Sequence, residues 1–189
     1  MIGFIYLDNF LPEVRNWLRP SGDTIIGRAS VIDGDTIEIQ GQRIRLNGID
    51  APESAQNCVN QDGKRYSCGS DAALVLALFL KLSVPTRCEF VEWDQYGHYV
   101  GDCFRADDVS LATGMVRSGF ALDWPRYSAG KYSSYEADAQ AEKVGMWAGK
   151  FEIPWEYRAR QRAQEEYRAR QRAQEPSQFS PWIRNTSAQ

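Results

Sequence analysis

The sequence predicts an α+β protein, and three segments carry that prediction. Residues 36–40 and 43–49 alternate apolar and polar side chains on both sides of a short turn, which is the pattern of a β-hairpin. Residues 72–80 are apolar on every side, as in a helix buried against a sheet. Residues 156–175 repeat the segment EYRARQRAQE without change, and their Ala, Arg, Gln and Glu content favours a helical extension.

The first half of the chain is expected to contain two hairpins with a helix between them. The first strand should begin near Thr24, in the segment TIIGRASVI, and lead into the hairpin at residues 36–49. After a polar loop, Ser70 is a suitable cap for a helix that ends near Leu82. A second hairpin is predicted at residues 86–106, around the turn DQYG.

Two further helices are predicted in the second half. The first covers residues 109–118, because Leu111 and Met115 are four residues apart and Gly119 can end the helix. The second begins at a capping box formed by Ser133 and Glu136. Its apolar face is expected at Ala137, Ala141 and Val144, with Gly145 as its end.

The four cysteines are candidates for two disulfides. Cys88 and Cys103 lie about equally far from the turn of the second hairpin, where facing Cβ atoms are close enough for a disulfide. Cys58 and Cys68 bracket the polar loop and can close it. With one histidine and no CxxC pair, zinc is not expected. Two disulfides would imply an oxidising compartment, so that the protein is periplasmic or secreted, and four buried thiols in a cytosolic protein are the alternative.

Four segments are predicted along the chain. They are an N-terminal extension and linker (residues 1–22), a folded domain (23–155), the duplicated charged helical segment (156–175) and a disordered tail (176–189). Residues 1–7 lack the basic start and cleavage site of a signal peptide, although they are compatible with the end of one. No stretch approaches the ~20 apolar residues of a membrane helix, so no membrane partner is expected.

Charge is distributed unevenly along the chain. The 189 residues include 22 basic and 25 acidic side chains, a net charge of −3. Residues 155–189 contain seven arginines and four glutamates, which leaves −6 for the rest. An acidic body does not attract a polyanion, so binding of one would depend on local groups and a bound cation. For the duplicated segment, a solvated extension and a basic arm for nucleic acid both remain open, and its partner is unknown.

Acidic residues flank both outer ends of the first hairpin. Asp33 and Asp35 precede it, and Asp50 and Glu53 follow it, so folding brings the four to one edge of a sheet. Four carboxylates at one edge could bind a cation that prefers oxygen ligands. The alternatives are structural, because DGD is a common turn and Asp50 can cap a short helix.

The segment VIDGDTIEIQGQRIRLNGIDAPE resembles the active-site hairpin of the staphylococcal nuclease (thermonuclease) family. The resemblance continues in WDQYGHYVGDC and MVRSGFALDW, and it covers roughly residues 24–155. It implies a five-stranded OB-fold β-barrel with about three packed helices. It also implies Ca²⁺-dependent hydrolysis of single-stranded or locally opened DNA and RNA, with 3′-phosphate products.

The resemblance assigns roles to individual residues. Asp35, Asp50 and the backbone carbonyl of Ala51 align with the calcium ligands. Glu53 aligns with the residue proposed as the general base for the attacking water. Arg45 aligns with the first of two arginines that hold the phosphate. Of the two arginines that share a strand face here, Arg43 and Arg45, one is expected to point toward the acids, and Asp33 is expected to shape the turn or support the ligands.

One position departs from the family pattern. The second arginine of the family follows the YG of DQYG, where this chain has His98. Histidine is mostly neutral at pH 7 and offers one N–H donor, so a slow enzyme is one expectation, and His98 as the acid for the leaving oxygen is another. The alternative function is a catalytically impaired OB-fold module that binds nucleic acid or acts as a scaffold.

Overall fold

The computed structural model describes residues 24–174, and the predicted N-terminal extension and terminal tail lie outside this range. Its strands are β1 (Ile25–Gly27), β2 (Ser30–Val31), β3 (Thr36–Ile39), β4 (Gln42–Leu46), β5 (Ile49–Asp50), β6 (Cys58–Val59), β7 (Arg65–Tyr66), β8 (Thr86–Trp93), β9 (Tyr99–Phe104) and β10 (Leu122–Asp123). Its helices are α1 (Cys68–Leu82), α2 (Leu111–Arg117), α3 (Pro125–Ser128), α4 (Ser133–Glu142) and α5 (Pro154–Gln174), with a 3-10 turn at Gly145–Ala148. The α+β class is confirmed.

The chain forms two compact units that divide between Glu152 and Ile153. Helix α5 belongs to the second unit and includes the repeated segment as far as Gln174. No helix in residues 24–174 is long and apolar enough to cross a membrane.

Six strands form one sheet in the order β1-β8-β9-β4-β3-β2, in which only β4 and β9 pair in parallel. In a flat sheet, five strand spacings would separate the two edges by about 24 Å. The edge strands β1 and β2 are joined by only Arg28 and Ala29, a length of chain that spans about 11 Å at most. The sheet must therefore curl strongly.

The predicted five-stranded barrel differs from the observed sheet. The expected first strand is divided at Arg28 and Ala29, because its first half pairs with β8 and its second half pairs with β3. The described part of the chain therefore has six strands in this sheet. The sheet order ends at β1 and β2, which are not paired with each other, so hydrogen bonds do not close a barrel.

The hairpin of β3 and β4 determines which side chains face the core. Its turn consists of Gln40 and Gly41, one residue earlier than the pattern suggested. Both have positive φ, which matches the twist of the flanking strands. Ile37 faces Ile44 across the ribbon, and both are fully buried. Because side chains alternate, Arg45 lies on the opposite face of β4.

Helix α1 packs against the sheet as expected, but through one face only, although the segment is apolar on every side. Its buried side chains join the core of the sheet and are Cys68, Ala72, Leu76 and Leu80. Leu74, Leu78 and Leu82 are each more than half exposed, because the sheet can cover only one side of a helix. The helix also begins earlier than predicted, with Ser67 at the N-cap instead of Ser70.

Helix α2 begins at Leu111 after its N-cap Ser110, whose side chain accepts a hydrogen bond from the Thr113 N–H. Leu111 and Met115 are buried as predicted. Helix α3 was not predicted, although Pro125 at its first position is a recognised start signal.

The predicted capping box of α4 is wrong. Tyr132 occupies the N-cap, and the Ser133 hydroxyl donates to the Gly130 carbonyl instead of accepting from the helix. The helix ends at Glu142, and Lys143, not Gly145, follows it as the C-cap in the left-handed conformation. The predicted apolar face is also wrong, since Ala137 and Ala141 are exposed and the buried helical residue is Ala139.

Gly145 has a packing role instead. A Cβ atom at this position would lie 2.5 Å from the carbonyl oxygens of Ser118 and Gly119. The glycine therefore permits close backbone contact between the 3-10 turn and the end of α2.

Both predicted disulfides are present. Cys88 faces Cys103 across β8 and β9, and Cys58 is joined to Cys68 at the start of α1. They close segments with sequence separations of 15 and 10 residues.

We expect removal of the Cys88–Cys103 bond, in the double variant Cys88→Ser/Cys103→Ser, to lower the free energy of unfolding by about 3 kcal/mol. Urea unfolding monitored by circular dichroism measures this loss. Dithiothreitol should destabilise the native protein and leave a variant without any cysteine unchanged. Equal sensitivity of both proteins to the reductant would contradict a stabilising role for the bonds.

Candidate active site

Two buried carboxylates meet at one guanidinium. Arg45 Nη2 lies 3.0 Å from Asp50 Oδ1 and 3.3 Å from Asp35 Oδ2. The whole residues Asp50 and Asp35 are 0% and 6% exposed, whereas the Arg45 side chain is 27% exposed. We call these three residues the carboxylate–arginine cluster. It lies partly open to solvent on its arginine side.

The three residues of the cluster lie on or next to three different strands. Asp35 directly precedes β3, Arg45 lies in β4 and Asp50 ends β5. The Asp35 carboxylate is fixed by the Thr36 hydroxyl, which donates at 3.0 Å, and by the Ala51 N–H, which donates at 3.2 Å. Ala51 is therefore adjacent to the cluster through its backbone.

Trp124 was not identified from the sequence as a site residue. It follows β10, which pairs with β5 so that Leu122 faces Asp50. The guanidinium carbon of Arg45 lies 5.6 Å from the centre of the Trp124 ring, within the range of a cation–π interaction. Its position at the end of the MVRSGFALDW segment was the available signal, but only the β5–β10 pairing brings it to Arg45.

The cluster has more negative than positive charge. One guanidinium faces two buried carboxylates, and Asp33 adds a third acid whose side chain accepts from the Asp35 N–H at 3.1 Å. Burial and the neighbouring Asp35 charge raise the pKa of Asp33 to about 6. The Asp35 and Asp50 oxygens are hard donors that suit a cation such as calcium. In residues 24–174 no three acidic, histidine or cysteine side chains form a metal-binding group.

Glu53 lies in the turn that follows β5, three residues after Asp50. It is half-buried, and its backbone is held by Gln56, a residue that the sequence did not single out. The Glu53 N–H donates to Gln56 Oε1 at 3.3 Å, and the Glu53 carbonyl accepts from the Gln56 N–H at 2.7 Å. A glutamine in a polar loop carries no pattern that would have predicted this contact.

His98 is paired with Asp94 in the turn between β8 and β9. Its Nδ1 lies 3.0 Å from Asp94 Oδ2, and its backbone N–H donates to Asp94 Oδ1 at 2.7 Å. Burial opposes ionisation of Asp94, but hydrogen bonds from His98 and Tyr96 outweigh it and lower the pKa of Asp94. Because Tyr99 pairs with Ile44, His98 lies one residue before the ladder of β9 with β4 and outside the carboxylate–arginine cluster.

Comparison with known proteins identifies the family. The family model described as staphylococcal nuclease homologue matches residues 43–149. The chain belongs to the staphylococcal nuclease family. The matched residues include Arg45, Asp50, Glu53 and His98, whereas Asp35 lies before the match.

Three relatives among those that the chain matches are described by their names. The succinoglycan biosynthesis protein ExoI of Rhizobium meliloti (strain 1021) is 46% identical over 127 residues, which are 67% of this chain and 66% of that protein. A protein named uncharacterized endonuclease, from Escherichia coli O157:H7, is 31% identical over 69% of this chain and 82% of its own length. The probable staphylococcal-like nuclease CAN2 of Oryza sativa subsp. japonica is 31% identical, and the match covers 68% of this chain and 32% of that protein.

The family and two of these names support a nuclease role, that is, a phosphodiesterase in general terms. The match spans just under two thirds of the first relative and about a third of the rice relative. The names of the relatives differ, and ExoI is named for polysaccharide synthesis.

The raised pKa of Asp33 predicts a pH-dependent stability. Between pH 3.8 and about 6 the folded protein retains the Asp33 proton while the unfolded chain has lost it, so stability falls as the pH rises through this window. The fall in the free energy of unfolding is at most about 3 kcal/mol. We expect Asp33→Asn, whose side chain can still accept from the Asp35 N–H, to remove this fall. Urea unfolding at several pH values, in buffer that contains a metal chelator, measures the free energy of unfolding. The exposed Asp62→Asn is the control, and parallel pH profiles for wild type and Asp33→Asn would contradict the prediction.

Proposed function

We propose that the protein is a calcium-dependent nuclease that hydrolyses phosphodiester bonds of single-stranded or locally opened DNA and RNA and leaves 3′-phosphates. The convergence of two buried carboxylates on Arg45 is the observation that carries this proposal. The pairing of β3 with β4, which brings Asp35 beside Arg45, is consistent with it.

Asp35 and Asp50 are the proposed side-chain ligands of Ca²⁺, with the backbone carbonyl of Ala51 as a third ligand. The donor set fits, because the two carboxylates are buried and share a single positive charge. When bound, the cation would supply positive charge to the phosphate and lower the pKa of a bound water.

Arg45 is the proposed phosphate ligand. It is the only member of the cluster with substantial exposure, so its side chain can reach a substrate at the surface. The planar guanidinium of Arg45 would donate hydrogen bonds to two phosphate oxygens of the substrate. Its contact with the Trp124 ring would limit its motion.

Glu53 is the proposed general base. It would take a proton from the attacking water as the new P–O bond forms, and the bond from phosphorus to the 5′ oxygen would break. The 5′ oxygen then needs a proton. His98 is a candidate donor, because the contact of its Nδ1 with Asp94 would leave Nε2 to face the substrate.

A second function is favoured by one observation. His98 replaces an arginine of the family pattern. This fits a module that binds nucleic acid or acts as a scaffold without cutting. Such a module would bind single-stranded DNA with little dependence on calcium.

The two disulfides support a location in an oxidising compartment. We propose a periplasmic or secreted protein.

Arg45→Ala and Glu53→Ser should each lower turnover by about 10²- to 10³-fold, because each removes a group that acts in the transition state. Release of acid-soluble nucleotides from single-stranded DNA, with calcium and with a calcium chelator, measures the effect. Arg43→Ala is the matched control, since Arg43 is an exposed arginine on the same strand. No cleavage by the wild type from pH 5 to 10 with calcium would exclude the nuclease.

His98→Arg should raise turnover by at least about tenfold, because it restores a permanently charged donor. The exposed Gln95→Arg adds the same charge in the same turn and serves as the control. A gain that is specific to position 98 supports an intact active site. An inactive His98→Arg variant that still binds DNA would favour the binding module.

A further inference from the structure

The segment between β5 and α1, residues 51–67, contains Glu53 but has little regular structure of its own. Only the short strands β6 and β7 lie within it. A general base on such a segment needs external anchors, because a displacement of about 1 Å can cost 10²-fold in rate. Three anchors hold this segment, and two of them, Gln56 and Gly69, lie directly against the backbone of Glu53.

The first anchor is the side chain of Gln56, which is 0% exposed. Its Oε1 accepts from the Glu53 N–H, and its Nε2 donates to the Glu152 carbonyl at 2.7 Å. The amide thus ties the backbone of Glu53 to a residue 96 positions after Gln56. Both polar atoms of this fully buried side chain therefore make a hydrogen bond, and these two bonds fix the orientation of the amide.

The second anchor is Gly69 at the start of α1. A Cβ atom at this position would lie 1.9 Å from the Glu53 carbonyl oxygen, so only glycine permits the observed approach. The Gly69 N–H also donates to the Gln56 carbonyl at 3.4 Å. The first turn of helix α1 therefore packs directly against the backbone of Glu53 and Gln56.

The third anchor is the Cys58–Cys68 disulfide, which joins the segment to the first residue of α1. Just beyond Cys58, Val59 exchanges two backbone hydrogen bonds of 2.8 Å with Lys150. The segment is consequently attached to α1 through Cys58 and to Lys150 through Val59. Both attachment points lie two or three residues after Gln56.

We propose that Gln56 is a positioning residue for Glu53, and that Gly69 and the Cys58–Cys68 bond complete a clamp on the general base. This inference rests on the proposed nuclease function and deepens it. Gln56 does not touch the substrate. It acts by fixing the backbone from which the Glu53 carboxylate extends.

Gln56→Met is the main test, because methionine has a similar length and volume but makes neither amide hydrogen bond. We expect kcat on single-stranded DNA to fall about 10- to 100-fold. KM and the calcium concentration for half-maximal activity should stay within about twofold, because Arg45, Asp35 and Asp50 are untouched. Gly69→Ala, which must displace the Glu53 carbonyl, should give the same separation of kcat from KM.

Two controls separate positioning from general destabilisation. Asn57→Ala alters an exposed neighbour of Gln56 in the same segment and should leave kcat unchanged. The variant Cys88→Ser/Cys103→Ser removes the disulfide that lies outside the segment and should lose stability without the loss of kcat. All assays are made below the unfolding transition of each variant.

Hydrogen exchange provides a readout that does not depend on activity. In Gln56→Met the amide protons of Glu53 and Gln56 should exchange at least about tenfold faster, while those of β8 and β9 keep their rates. Unchanged kcat in Gln56→Met overturns the positioning role, and unchanged exchange overturns the clamp. A wild type that does not cleave DNA overturns the proposed function and the catalytic role of Gln56 with it, and the exchange rates then still test the clamp.

Discussion

The contact of Arg45 with Asp35 and Asp50 is the constraint on which the rest of the site depends. Two carboxylates removed from water repel each other and are costly without a nearby positive charge. Arg45 offsets part of this cost, and its own charge stays near the surface beside Trp124. The remaining negative charge explains why the cluster suits a cation.

The register of the β3–β4 hairpin makes this contact possible. Thr36 pairs with Arg45, so the preceding Asp35 lies beside the guanidinium. Asp50 comes from β5, which pairs with β10 in a separate two-stranded sheet. Side chains alternate along a strand, so Ile37 and Ile44 are buried on one face of the hairpin and Arg45 lies on the other.

The two parts of the proposed chemistry are supported in different ways. The ligands and Arg45 lie in or beside strands, so the sheet holds them directly. Glu53 lies in an irregular segment and depends on Gln56 and on Gly69 for its position. Groups that must act together in catalysis need such support from rigid elements or from anchored segments.

The sequence by itself determined the α+β class, the first hairpin, the family and the two disulfide pairs, because these follow from local alternation, ordered motifs and symmetry about a turn. The strand pattern left open which of Arg43 and Arg45 turns toward the acids, and the family resemblance favoured Arg45. The sequence also misassigned the cap of α4, since the Ser133 hydroxyl bonds to Gly130. Tertiary structure alone brought in Trp124 and Gln56. These contacts join segments far apart in sequence, and no local pattern records which distant groups will share a buried hydrogen bond or charge.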